Sequence, residues 1–231
     1  MPHAFEPGVG QTWVARRGPL TLTLAAGRVS AAISGSASVT STLLGAIPTV
    51  RPQGIDPLPA HANYLIGNDP SQWRANVPLF GRTVYRSVYP GVDLMFHGDG
   101  NSLEYDFIVQ PGARPSDIAF RISGSASLRV DSDGTLAIGA SAGELRWHRP
   151  VVYQSIDGAR RAVEARFVRH GRRISFALGP YDHRNTLVID PTPQLRQLFS
   201  AGPLTTLRAA SPWTAPGTSI LQASLSPTTC R

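Results

Sequence analysis

Residues 92–107, VDLMFHGDGNSLEYDF, limit the folds open to this chain more than any other stretch. Two runs of alternating apolar and polar residues flank Gly98-Asp99-Gly100-Asn101, a cluster that turns a chain because Gly and Asn accept positive φ. The spacing predicts a β-hairpin. If His97 pairs with Ser102, then Val92, Leu94, Phe96, Leu103, Tyr105 and Phe107 share one face, and Asp93, Met95, His97, Ser102, Glu104 and Asp106 share the other. This register also sets Asp93 opposite Asp106, with Glu104 nearby. Like charges facing across a ladder are destabilising, so the register demands a neutralising arginine, cation or shared proton.

Asp93, Glu104 and Asp106 are therefore the candidate binding residues. Pairing with arginines such as Arg82 or Arg86 is the structural reading. A hard cation such as Ca²⁺ held by the same oxygens is the metal reading. Glycosidase-type catalysis fits poorly, because nothing else marks a sugar cleft. Other motifs weaken under inspection. Gly139-Ala140-Ser141-Ala142-Gly143 matches G-x-S-x-G, but a nucleophile elbow must open a helix, and Glu144 to His148 read as a strand ending at Pro150. Asp131-Ser132-Asp133-Gly134 resembles a calcium loop, but Leu136 and Ala142 occupy the positions that need Gly and Glu; it predicts an Asp-Gly turn. His97, His148 and His183 lack metal-ligand spacing and are expected at the surface or rim. Trp13, Trp73 and Trp147 are expected in the core rather than on a carbohydrate platform.

The rest of the chain reads as short strands. Leu20, Leu22 and Leu24 alternate with Thr, and Ala26-Gly27 turns into residues 29–33. Residues 34–41, rich in Ser, Gly and Ala, predict a loop or weak edge strand. Residues 51–59 hold three prolines and predict a connector. Asp69 followed by Pro70 predicts one helical turn with Asp69 as N-cap, from which Trp73 would plug the core. Further strands recur with turn signals every 8–12 residues, among them Asp157-Gly158 and His170-Gly171. No amphipathic helix longer than two turns is evident. The expected fold is all-β: an antiparallel sandwich or barrel-like sheets built from short hairpins, spanning residues 1–191. Residues 192–231, rich in Pro, Thr, Ser and Ala and without an acid, are expected to be disordered.

The net charge of +7 invites a nucleic-acid reading, but every one of the 22 basic residues is Arg. A nucleic-acid binder usually mixes Lys with Arg along one face, so no nucleic-acid partner is expected. The doublets Arg16-Arg17, Arg160-Arg161 and Arg172-Arg173 lie beside predicted turns and read as solvated hairpin ends. One cysteine, Cys230, excludes an intrachain disulfide. No window approaches the ~18 apolar residues of a membrane span, and the first residues lack the basic and apolar regions of a signal peptide.

The order of these elements resembles the N-terminal domain of unknown function that precedes SBBP β-propeller repeats in large secreted or surface bacterial proteins. The resemblance is carried by Phe5-Glu6-Pro7, Gly10-Gln11, Ala15-Arg16, the block from Asn63 to Pro70, Trp73-Arg74 and Val77-Pro78. It continues through Tyr89-Pro90-Gly91-Val92-Asp93-Leu94, Leu103-Glu104-Tyr105-Asp106-Phe107 and Pro111-Gly112-Ala113. Gly143-Glu144-Leu145, Pro150-Val151-Val152-Tyr153-Gln154 and Ile189-Asp190-Pro191 complete it. It spans about residues 5–191 and is weakest over 34–50. It implies an extracellular or surface location, no established catalytic residues, no cofactor, and propeller repeats or surface polymers and glycans as partners. The repeats would normally begin after Ile-Asp-Pro. Shifted back by one base, with mostly G or C at third codon positions, the tail from Leu204 reads like one such repeat. Residues from about 192–203 onward are thus expected to be an out-of-frame repeat. The expected function is a non-catalytic structural or adhesive module. The alternative is a carbohydrate-binding or hydrolytic module using the Asp93/Glu104/Asp106 face.

Overall fold

The computed structural model describes residues 4–33, 38–99, 102–140, 143–191 and 193–196. The first strands are β1 (Phe5–Pro7), β2 (Trp13–Arg17), β3 (Leu20–Ala25), β4 (Arg28–Ile33) and β5 (Val39–Leu43). Two long strands follow, β6 (Gln53–Tyr64) and β7 (Arg74–Tyr89), then the central hairpin, β8 (Val92–Asp99) and β9 (Ser102–Val109). After β10 (Ala119–Ser123) come β11 (Ser127–Val130), β12 (Leu136–Ala140) and β13 (Gly143–Trp147). The series closes with β14 (Val151–Ile156), β15 (Ala159–Val163), β16 (Ala165–His170), β17 (Arg173–Leu178), β18 (Leu187–Asp190) and β19 (Pro193–Arg196).

All pairings among them are antiparallel. The large sheet runs β15-β14-β18-β9-β8-β7-β1-β2-β3-β4-β5-β10-β17-β16, with β6 paired to β7; a second sheet runs β11-β12-β13-β19. The large sheet folds over itself. Phe107 on β9 and Phe176 on β17 lie far apart in strand order, yet their rings are 6.0 Å apart. The Tyr85 hydroxyl donates to the carbonyl of Ala25 at 2.8 Å, and that of Tyr89 to Ala119 at 3.0 Å. Trp147 closes one side, edge-on to Tyr105 at 5.7 Å. The fold is all-β and antiparallel, as the period-2 alternation requires.

Local chemistry explains the turns. Asp157 and Gly158 both adopt positive φ (51° and 77°), the conformation a two-residue hairpin needs. Asp133 accepts from the backbone N–H of Thr135 at 2.9 Å, so the Asp131–Gly134 stretch is the turn its sequence predicts. The Gly139/Gly143 segment joins β12 to β13 and opens no helix; Ser141 and Ala142 lie outside the described residues.

Several expectations need correction. Residues 51–59 are no connector: from Gln53 they belong to the twelve-residue β6. Pro57 and Pro59 are tolerated because β6 pairs on one side only, at the sheet edge. Asp56 at φ 59° and a register break between Pro57 and His61 bend it. β5 is interior, bonded to both β4 and β10; residues 34–37 lie outside the described residues. The helical turn forms, Pro70–Gln72, with Asp69 accepting from the N–H of Ser71 at 3.0 Å. Trp73, however, does not plug the core. It is 40% exposed, and its indole N–H donates to the carbonyl of Gly67 at 3.2 Å. Just past residue 191, β19 pairs with β13; the tail expectations from 197 onward fall outside the described residues.

Candidate functional site

The central hairpin keeps its predicted faces and changes its register. Val92 pairs with Val109, Asp93 with Ile108, Met95 with Asp106, and His97 with Glu104. The slip from the expected pairing is two residues, so each side chain stays on its face while its opposite partner changes. Inward, Val92, Leu94, Phe96 and Phe107 are nearly inaccessible. Outward, Asp93 no longer faces Asp106, and the predicted like-charge clash is absent. The expected tip shifts with the register: Asp99 pairs with Ser102, and Gly100 and Asn101 lie outside the described residues.

Each outward carboxylate then has its own setting. Asp93 leaves the constellation: it accepts from the backbone N–H of Ser87 at 2.6 Å. Ser87 has φ 51°, within the irregular stretch where β7 loses register with β8, so Asp93 holds a bulge. Asp106 bonds the His97 ring at 3.0 Å. That hydrogen bond, ahead of the opposing effect of burial, raises the His97 pKa above its ordinary value. Arg82, offered as a partner for the hairpin acids, instead pairs with Asp56. Arg86 is exposed.

Around Glu104 and Asp106 lies a shallow polar groove bordered by Asp56, Arg82, His97, Tyr153, Arg160 and Asp190. Arg160 stacks on the Tyr153 ring, its guanidinium carbon 4.4 Å from the centroid. Four acids thus border the groove with two arginines and a histidine. The arrangement offers hydrogen-bond donors and acceptors to a polar molecule. Among the described residues no group of three or more His, Cys, Asp or Glu side chains is placed to hold a metal ion.

Of the groove's residues, the hairpin pattern singles out Glu104 and Asp106 but not His97, Asp56, Tyr153, Arg160 or Asp190. His97 could have been found, because it shares outward parity with Glu104 and Asp106. The others come from β6, β14, β15 and β18, and only sheet order brings them together.

A second polar cluster joins distant sequence motifs. Glu6 is 4% exposed, pairs with Arg16, and accepts from the Tyr64 hydroxyl at 2.6 Å. The guanidinium groups of Arg16 and Arg74 lie 5.5 and 5.7 Å from the Tyr64 ring. Burial first, then the bond to Glu6, pushes the Tyr64 phenol up to about 12. On the small sheet, Arg129 and Arg146 each bridge Asp131 and Glu144 at 2.7–2.8 Å; the Arg129 hydrogen bond leads in lowering the Glu144 pKa. Gln154 is buried and ties down the 182–185 loop, donating to the carbonyls of Asp182 and Asn185 and accepting from the N–H of Asp182.

An all-β module with polar clusters on its outer surface and an apolar interior is the class these features define. The chain belongs to the family of a domain of unknown function, DUF7948, which matches residues 18–192. No curated protein and no solved structure matches it. Among the described residues no helix is long and apolar enough to cross a membrane.

Proposed function

We propose that this domain is a non-catalytic structural or adhesive module of an extracellular or surface protein, one that stands ahead of β-propeller repeats. The observation that carries the reading is how the hairpin carboxylates are used. Asp93 holds a backbone N–H, and Asp106 holds a histidine. Groups spent on holding the fold present a shaped surface rather than a reactive one. The order of motifs along the chain supports the propeller context.

The test is to sequence the genomic DNA on both sides of this reading frame, and to melt Asp93→Asn and Asp106→Asn. A single-base correction near codons 192–203 that opens propeller repeats, with an upstream signal peptide, is the expected result. Both variants should lose thermal stability. Two unaltered melts, together with a start and stop that hold, would overturn the reading.

A second reading rests on the groove itself: Tyr153, Arg160, Glu104 and Asp106 offer the planar polar groups that hold sugar hydroxyls. Saturable binding on a glycan array, lost in a Glu104→Gln/Asp106→Asn double variant that still melts cooperatively, would favour it.

A further inference from the structure

Protein interiors hold few voids larger than a water molecule, yet a cavity of about 610 Å³ lies between the folded-over halves of the large sheet. Its walls include Leu22, Val39, Leu94, Phe107, Phe120 and Trp147. Of these, Leu94, Phe107 and Phe120 are at most 2% exposed, so the space lies within the core. Left unfilled, a mostly apolar space of this size forfeits dispersion contacts along its walls. Its volume lies within the range of small-molecule sites, roughly 300–1,000 Å³, which are lined mostly by apolar groups with a few polar ones.

One residue gives the cavity a direction. Arg17 pairs with Leu20 in the β2–β3 ladder, Ala15 with Leu22, and Trp13 with Leu24. Directly paired residues share a face of the sheet, and Leu22, Leu24 and Ala15 are core residues. Arg17 therefore lies on the inward face, at the end of the row. It lines the cavity beside Gly18 and Pro19, which are exposed and mark the mouth. Among the described residues its guanidinium has no hydrogen bond or ion pair, whereas its neighbour Arg16, on the outward face, is paired with Glu6. Glu104 also borders the cavity, but alternation places it with His97 on the outer face.

We propose that this cavity is a binding site for a single-chain anionic amphiphile of fatty-acid type, its apolar chain along the Leu and Phe walls and its acidic head at Arg17. Charge complementarity selects the head, and the apolar lining selects the chain.

The test uses the full 231-residue chain. Titration with cis-parinaric acid, whose fluorescence rises in apolar surroundings, should saturate at one molecule per chain. Palmitate should displace it and raise the melting temperature, because a ligand that binds only the folded state stabilises it. Arg17→Gln should weaken palmitate by about tenfold or more, since a charge-assisted hydrogen bond is lost, and leave hexadecanol unchanged. Ala31→Leu and Ser41→Leu, two independent substitutions on the cavity wall, should weaken both ligands. The proposal is overturned if the wild-type chain gives no saturable signal, or if Arg17→Gln weakens acid and alcohol alike or neither. It also falls if a wall variant that melts cooperatively binds as the wild type does.

Discussion

The two halves of β7 share one strand and differ in almost everything else. Its distal half, near Arg74, pairs with β6 and is largely exposed; its proximal half carries Val84, Tyr85, Val88 and Tyr89, none more than 3% exposed. Backbone hydrogen bonds run through both halves. Pairing alone therefore makes an arm, and packing against a second layer makes a core. The loop that caps the arm leaves Leu65, Ile66 and Trp73 40–60% exposed. Local opening follows the number of buried contacts rather than the number of backbone bonds. Amides of the arm should then exchange far faster than those of Tyr85 to Tyr89.

The strongest break in this contrast is Tyr85→Ala. It empties a fully buried site and removes the hydroxyl that donates to the carbonyl of Ala25, so a loss of about 3–5 kcal/mol in denaturant unfolding is expected. A loss below 1 kcal/mol would mean the proximal half is no better packed than the arm. Gly54→Ala tests the joint between the halves. A Cβ there would lie 2.2 Å from the Trp13 ring and 2.7 Å from Phe80; the expected cost is about 1–3 kcal/mol, and a neutral melt would refute that contact. Glu6→Gln strips the charge that Arg16 and Tyr64 share at the distal end of the arm, where Tyr64 pairs with Arg74, at a cost of about 1–2 kcal/mol. Faster exchange confined to the arm would accompany it.

Smaller still is the pH effect of His97, which lies opposite Glu104 and beside the proximal half of β7. Its folded pKa is raised by Asp106, so its contribution is fully present below the unfolded value of about 6.5 and is lost as pH rises through the folded pKa. A partly exposed pair of this kind is worth about 0–1 kcal/mol. His97→Gln should flatten stability between mildly acidic and alkaline pH, and an unchanged slope would remove the histidine from the account. Trp73→Ala, at the arm tip, should change stability by no more than about 0.5 kcal/mol; a larger loss would mean the tip packs more firmly than its exposure indicates.

The legible part of this protein was local. The hairpin faces, the Asp157-Gly158 turn and the Asp69 cap follow from alternation and from residues suited to one backbone geometry. The hairpin register was not legible to within two residues, because a shift of two preserves both faces and the apolar pattern penalises only odd slips. Trp73 was misplaced because size and apolarity alone do not say which turns end over a core. The prolines of β6 read as a connector in sequence because they forbid an interior strand but not an edge strand, and edge position is a property of the whole sheet.

Glu6, Arg16, Tyr64 and Arg74 show the same division. Each stands in a motif visible along the chain, and nothing in their spacing reveals that they meet. Arg16 and Arg17 look alike as a doublet of solvated charges, yet one pairs outward with Glu6 and the other faces an apolar cavity. Period-2 alternation and local turn chemistry settle that strands form, which residues each strand turns inward, and where the chain reverses. Which strands are neighbours, which carboxylate meets which cation, and that the sheet closes around an apolar space depend instead on contacts between segments far apart in the chain.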